Sequence, residues 1–139
     1  MKRRRVELTP RQRKIACDAM VESLKTDGAE VLALCVGKKH WHALVRTIPL
    51  GRHPTESLLF RDARRIVGRA KGRSARELSR CGEAPEGGVW AVRCRPIPIK
   101  NRAHQLRVCG YIPDHVKKGA AIFCDPAVLR YSRRKKPRA

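Results

Sequence analysis

Residues 30–48, EVLALCVGKKHWHALVRTI, decide the fold of this chain. The opening run 30–36 is almost continuously apolar, which is the pattern of a strand buried on both faces. The glycine and lysines at 37–39 then predict a turn into a second strand over 40–48. The sequence therefore predicts a hairpin in the middle of an antiparallel sheet.

The second strand of this hairpin carries two histidines on one face. Side chains two residues apart on a strand point to the same side, so His40, His42 and Leu44 share a face. Trp41 points to the opposite face. Two imidazoles on one face can converge on a single metal ion, but a His-x-His pair also arises by chance. The alternative is one half-exposed histidine and one histidine satisfied in the core.

The rest of the chain predicts a single α+β domain. At 139 residues the protein is long enough to bury a core of its own. The other predicted elements are a strand at 3–8, a helix at 9–27, a long helix at 55–80, a strand at 89–95 and a last helix at 102–118. The order is β-α-β-β-α-β-α, and its first six elements form a ferredoxin-like split β-α-β unit. We expect this domain to cover residues 1–124 and residues 125–139 to form a basic, disordered tail.

The last predicted helix bears a tyrosine and a third histidine. Tyr111 and His115 are four residues apart, so a helix presents them on one face. A phenol with a pKa of about 10 is a poor nucleophile at neutral pH unless a nearby cation stabilises the phenolate. The alternative role of Tyr111 is a ring in the core with its hydroxyl in water. Pro113 either kinks this helix or divides it into two short helices.

The charge of the chain points to a polyanionic partner. Lys and Arg number 33 against 12 Asp and Glu, a net charge of +21, and such an excess repels itself unless it meets a polyanion. We expect the phosphate contacts to come from an arginine stripe on the long helix and from the turn before the histidine pair. These residues are Arg61, Arg65, Arg69, Arg73, Arg76, Arg80, Lys38 and Lys39. The alternative is an ordinary solvated helix face. No apolar run reaches membrane-spanning length and no signal peptide is recognisable, so we expect no membrane partner.

The cysteines indicate a reducing compartment. The chain has six, none in a Cys-x-x-Cys pair, so zinc-ribbon and dithiol redox motifs are weak interpretations. Several lie within apolar patterns and are expected to be small buried side chains. We therefore expect a cytoplasmic, nucleoid-associated protein.

The His40-Trp41-His42 strand followed by the Tyr111 helix resembles the single-tyrosine HUH transposases, the small insertion-sequence enzymes and their REP-associated relatives. The resemblance covers residues 1 to about 124. It implies the ferredoxin-like core and a C-terminal tyrosine-bearing helix. The family usually has a further metal ligand, commonly Gln or Asn, four residues after the tyrosine, where this chain has His115.

The resemblance also implies an activity. The expected protein is a metal-dependent endonuclease and strand transferase for single-stranded or hairpin DNA, in which Tyr111 forms a 5′-phosphotyrosine. His40, His42 and His115 would hold Mn²⁺ or Mg²⁺, and three imidazoles favour manganese, cobalt, nickel or zinc over magnesium. Some family members share their sites within a homodimer, and the sequence leaves this open. The alternatives are a non-catalytic DNA- or RNA-binding relative and, third, a zinc hydrolase.

Overall fold

A computed structural model describes residues 6–47, 56–85, 88–90 and 94–127. The helices are α1 (Pro10–Thr26), α2 (Glu56–Arg80) and α3 (Arg102–Asp114), and a 3-10 helix (His115–Lys118) follows α3. The strands are β1 (Ala29–Val36), β2 (Trp41–Thr47) and β3 (Ala121–Cys124). The described residues thus form an α+β fold, as predicted.

Local signals fix the start of α1. Thr9 and Gln12 form a capping box, in which each side chain accepts from the backbone amide of the other. Pro10 occupies the first turn, where its missing amide hydrogen is not needed. The helix ends at Thr26 with Asp27 as its C-cap, and Gly28 adopts a φ of 82°, which favours glycine, before β1 begins.

The sheet has three antiparallel strands in the order β2-β1-β3. In the β1–β2 hairpin Cys35 lies opposite His42 and Val36 opposite Trp41. The pairing shifts by one residue between Val31 and Ala33, where β1 carries a bulge. The predicted antiparallel hairpin is confirmed.

Two hydrophobic clusters cover the two faces of the sheet, and β1 contributes to both. The first cluster joins α1 and α2 to one face through Met20, Leu24, Ile66, Ala70, Leu78, Leu34 and Val36. The second joins α3 to the other face through Cys109, Ile112, Leu32, Ala33, Cys35 and Leu44. Every β1 side chain except Glu30 is buried, which confirms a strand buried on both faces. The protein therefore has α1 and α2 on one side of the sheet and α3 on the other.

The predicted element order needs correction at its outer strands. Of the strand predicted at 3–8, residues 6–8 are not in a strand and residues 1–5 lie outside the described residues. Of the strand predicted at 89–95, the described residues 89, 90, 94 and 95 are not in a strand. Trp90 instead donates from Nε1 to the Ser74 hydroxyl at 2.7 Å and packs edge-on against Trp41. The edge of β1 that faces away from β2 is filled by β3, which the sequence analysis did not predict.

The predicted helices are found with adjusted ends. The long helix of 55–80 is α2, and the helix of 102–118 is α3 together with the 3-10 helix. Residues 48–55 and residues 128–139, which make up most of the predicted tail, lie outside the described residues. None of the six cysteines forms a disulfide. Within the described part of the chain, no helix is both long enough and apolar enough to cross a lipid bilayer.

Candidate metal and tyrosine site

The hairpin places the first two histidines. His42 projects from β2 towards α3, opposite Cys35 and two residues before the buried Leu44. His40 lies just before β2 in the turn, where its carbonyl accepts from the Gly37 amide at 2.9 Å. Burial raises the pKa of the Cys35 thiol, which lies opposite His42 in the ladder.

Helix α3 brings Tyr111 and His115 to the same face of the sheet. The Asn101 side chain caps the helix by accepting from the His104 amide at 2.9 Å. Cys109 and Ile112 then anchor the helix on the sheet. Pro113 neither ends nor divides the helix before Asp114, and the 3-10 helix continues directly from it. Tyr111 and His115 are thus carried on a continuous helical backbone.

The three predicted metal ligands converge. One ligand atom each from His40, His42 and His115 lies within 4.8 Å of the other two. The ring centroid of His42 is 5.1 Å from that of His40 and 5.2 Å from that of His115. Residues separated by more than seventy positions are therefore brought to one point by the packing of α3 on the hairpin.

A hydrogen bond fixes the orientation of the third imidazole. Nδ1 of His115 lies 2.9 Å from the carbonyl oxygen of Tyr111. A carbonyl can only accept, so Nδ1 carries the hydrogen and Nε2 of the neutral ring keeps its lone pair. Metal-binding histidines in proteins are commonly held in this way by a backbone carbonyl. The buried His115 therefore presents Nε2 as its ligand atom.

The electrostatics of the site keep His42 neutral. Burial lowers the pKa of its imidazole, and the neighbouring His40 and His115 lower it further because positive rings repel one another. A neutral imidazole offers a lone pair, which is the form that binds a metal. The protein environment thus favours the protonation state that a metal site needs.

The donor set fits a divalent transition metal. Metal–nitrogen bonds of about 2.1 Å place two nitrogens of a tetrahedral ion about 3.4 Å apart, whereas the three ligand atoms here lie within 4.8 Å of one another. Binding would draw the rings together, and the exposed His40 side chain has room to move. Three imidazole nitrogens would suit manganese, cobalt, nickel or zinc better than magnesium. His40, His42 and His115 can therefore hold such an ion.

Tyr111 stands at the edge of the histidine cluster. Its ring centroid is 4.6 Å from that of His115 and 5.8 Å from that of His42. The residue is 57% exposed, so the predicted alternative of a ring buried in the core is not what the structure has. The phenol is accessible to a large substrate beside the three imidazoles.

The arginine stripe on α2 lies on the opposite side of the sheet from the histidines. Three of its members form ion pairs within the chain: Arg69 with Asp27 at 3.0 Å, Arg73 with Glu22 at 2.6 Å, and Arg80 with Glu77 at 2.5 Å. Arg65 and Arg76 are exposed, and the side chain of Arg61 lies outside the described residues. The structure therefore does not bring this stripe to the cluster.

The two lysines before His40 are nearer to the site along the chain. Lys38 is exposed, and Lys39 pairs with Glu7 at 3.4 Å. His104, seven residues before Tyr111, has a structural role, since its Nδ1 accepts from the Lys100 amide at 3.2 Å. It is not part of the histidine cluster.

One buried charged residue, connected to the segment after His115, was missed by the sequence analysis. Arg13 of α1 is 6% exposed and donates to the backbone carbonyls of Leu8 and Gly119. A signal was present, because Arg13 falls at helical spacing with Cys17, Met20 and Leu24 on the buried face of α1. An arginine on an apolar stripe predicts a buried guanidinium with fixed acceptors.

No known protein family, curated protein or solved structure matches this chain.

Proposed function

We propose that the protein is a metal-dependent endonuclease and strand transferase that acts on single-stranded or hairpin DNA through Tyr111. The observation that carries the proposal is the convergence of His40, His42 and His115 beside an exposed tyrosine ring. A divalent metal in that site would polarise the scissile phosphate and neutralise its charge. This supplies the cation without which a phenol is a poor nucleophile.

The proposed reaction is a transesterification at phosphorus. The Tyr111 oxygen forms a bond to phosphorus, the bond from phosphorus to the 3′ oxygen breaks, and the phenolic proton leaves to solvent while the 3′ oxygen gains one. The products are a 5′-phosphotyrosine and a free 3′-hydroxyl. Attack of a second 3′-hydroxyl on the phosphotyrosine restores Tyr111. Because one phosphoester bond replaces another, the reaction needs no nucleotide cofactor.

The exposure of the site supports a polymeric substrate. Tyr111 lies open to solvent rather than at the bottom of a pocket, so a long strand can pass over it. A net charge of +21 gives such a strand a favourable approach. The ferredoxin-like core, which the resemblance implies, and the association with the nucleoid belong to this proposal.

The test is a denaturing gel. Purified protein is incubated with Mn²⁺ and with end-labelled single-stranded and hairpin DNA, alongside Tyr111→Phe and the matched control Tyr131→Phe. We expect a protein-linked band for the wild type and for Tyr131→Phe, and none for Tyr111→Phe. Tight DNA binding without any linked band over a broad DNA panel would favour a non-catalytic DNA- or RNA-binding protein.

The three-imidazole donor set favours a zinc hydrolase as a second candidate. Catalytic zinc sites often have three protein ligands and one open position for water. In that case water rather than Tyr111 would attack, and no covalent intermediate would form. Zinc co-purifying at one ion per chain, with hydrolysis unchanged in Tyr111→Phe, would support the hydrolase over the strand transferase.

A further inference from the structure

We infer that Arg13 is a positioning residue that sets the distance between the two halves of the metal site. One half is the β1–β2 hairpin, which carries His40 and His42, and the other is the helical segment that carries His115. The inference rests on the proposed metal site but concerns a residue that touches neither metal nor substrate.

Arg13 joins two segments that are far apart in sequence. Its Nε donates to the Leu8 carbonyl at 2.9 Å, and its Nη1 donates to the Gly119 carbonyl at 2.5 Å. The guanidinium is planar, so its two donors hold the two acceptors in a fixed relation. Within the described residues, no carboxylate forms an ion pair with Arg13.

Each acceptor is connected to a ligand-bearing segment. The amide of Leu8 donates to the Lys38 carbonyl at 2.8 Å, two residues before His40. At the other end, Gly119 ends the 3-10 helix, and its amide donates to the Val116 carbonyl at 3.0 Å. The next amide, that of Ala120, donates to the His115 carbonyl at 3.2 Å. A short chain of hydrogen bonds therefore runs from the turn before His40, through Arg13, to the backbone of His115.

This connection adds to the backbone ladder, in which Ala121 of β3 lies opposite Val36 of β1. His40 and His42 are held by the hairpin, and His115 is held against Tyr111 within its own helix. Besides the packing of α3 on the sheet and the β1–β3 ladder, Arg13 provides a side-chain link between them. Metal affinity depends steeply on ligand spacing, and changes in groups that only orient ligands cost about 10- to 100-fold in affinity.

Gly119 allows the link to be tested from its other end. It adopts a φ of 79°, and a Cβ at this position would lie 3.1 Å from Nη1 of Arg13. Gly119→Ala therefore strains the turn and pushes on the guanidinium without changing any ligand. Arg13→Lys changes the link from the other side, because an ammonium on a flexible stem does not hold two acceptors in one plane.

The experiment measures Co²⁺ binding to metal-free protein by visible absorption, together with thermal unfolding in the presence of a chelator. The variants are Arg13→Lys and Gly119→Ala, and the control is Val21→Ala, a core change in α1 away from the link. We expect both link variants to bind Co²⁺ at least about tenfold more weakly, with an altered spectrum. Val21→Ala should bind Co²⁺ as tightly as the wild type, even if its Tm falls as far as the Tm of the link variants.

Two outcomes would overturn the inference, and they are distinguishable. Wild-type affinity and spectrum in Arg13→Lys and Gly119→Ala, with only the Tm lowered, would make Arg13 a purely structural residue and leave the metal site intact. Absence of any Co²⁺ spectrum in the wild type would remove the metal site, and with it both the proposed function and this role of Arg13. Either link variant alone suffices for the comparison.

Discussion

His115 donates a hydrogen bond from Nδ1 to the backbone carbonyl of Tyr111 at 2.9 Å, so the residue proposed as nucleophile holds a proposed metal ligand in place. The two residues are separated by one helical turn, and the same backbone carries both. A rotation of α3 would therefore move the phenol and Nε2 together. Their relative position is less sensitive to movement of the helix than the position of either one relative to the hairpin.

His115→Gln should change the metal preference of the site. Glutamine replaces an imidazole nitrogen by an amide oxygen, a harder donor. We expect Zn²⁺ and Co²⁺ affinity to fall by at least about tenfold and Mn²⁺ affinity to fall much less. Competition titrations with the three metals measure the change, and His104→Gln, on the same helix but outside the cluster, is the control. Equal losses for all three metals would argue against His115 as a ligand.

His40→Ala and His42→Ala should abolish metal-dependent cleavage of DNA while leaving salt-sensitive DNA binding nearly intact. Each change removes one of three donors from an exposed or half-buried position, where little core packing is lost. Cleavage is followed on a denaturing gel and binding by fluorescence anisotropy. If either variant also loses DNA binding, these histidines are structural and the site is wrongly assigned.

The exposed arginines of α2 should contribute more to DNA binding than the paired ones. We consider the double variant in which Arg65 and Arg76 are both replaced by Gln. The slope of log K against log salt for single-strand binding should become shallower by about 1.4, which is about 0.7 for each lost phosphate contact. The matched double variant Arg69→Gln/Arg73→Gln removes the same charge from guanidiniums already paired with Asp27 and Glu22, and should have a smaller effect. Equal slopes in the two double variants would indicate a general charge effect instead of specific contacts.

The buried thiol of Cys17 should make the protein less stable in alkali. Burial, and secondarily the carboxylate of Asp18, raises the pKa of this thiol to about 12. The unfolded chain loses the thiol proton near pH 9, so the stabilisation is complete below that pH and is lost as the pH rises towards 12. Between pH 9 and pH 10 the free energy of unfolding should fall by about 1 kcal/mol more in the wild type than in Cys17→Ala. Urea unfolding at both pH values measures the difference, and parallel losses in the two proteins would contradict the prediction.

The elements with strong local signals could be predicted from the sequence. The β1–β2 hairpin follows from an apolar run and a glycine-lysine turn, and α1 and α3 begin at the capping residues Thr9 and Asn101. The strand β3 is a run of only four residues, and its place beside β1 depends on the 3-10 helix and Gly119 that precede it. In the two stretches predicted as outer strands, the described side chains of Leu8 and Trp90 pack on the first cluster without forming a strand.

The candidate site, too, could be predicted only in part from the sequence. Spacing alone pairs His40 with His42 and Tyr111 with His115, because each pair lies within one element. That the two pairs meet depends on Cys109 and Ile112 packing against Cys35 and Leu44, a tertiary contact that no local pattern specifies. The sequence resemblance supplied that contact as an expectation. The link through Arg13 depends on three segments at once. The sequence indicates only that Arg13 lies on the buried face of α1.

The bulge between Val31 and Ala33 gives β1 one residue more than a regular ladder needs. Ala29 and Val31 lie in the α1 cluster at odd positions, and Leu34 and Val36 lie in the same cluster at even positions. The extra residue is put to use, because the Leu32 carbonyl accepts from the Asp125 amide just after β3 at 2.9 Å. At this one point the strand can differ in length by a residue without moving the side chains that follow to the opposite face of the sheet. Insertions and deletions of one residue in homologous chains should concentrate there and be absent from the rest of the strand.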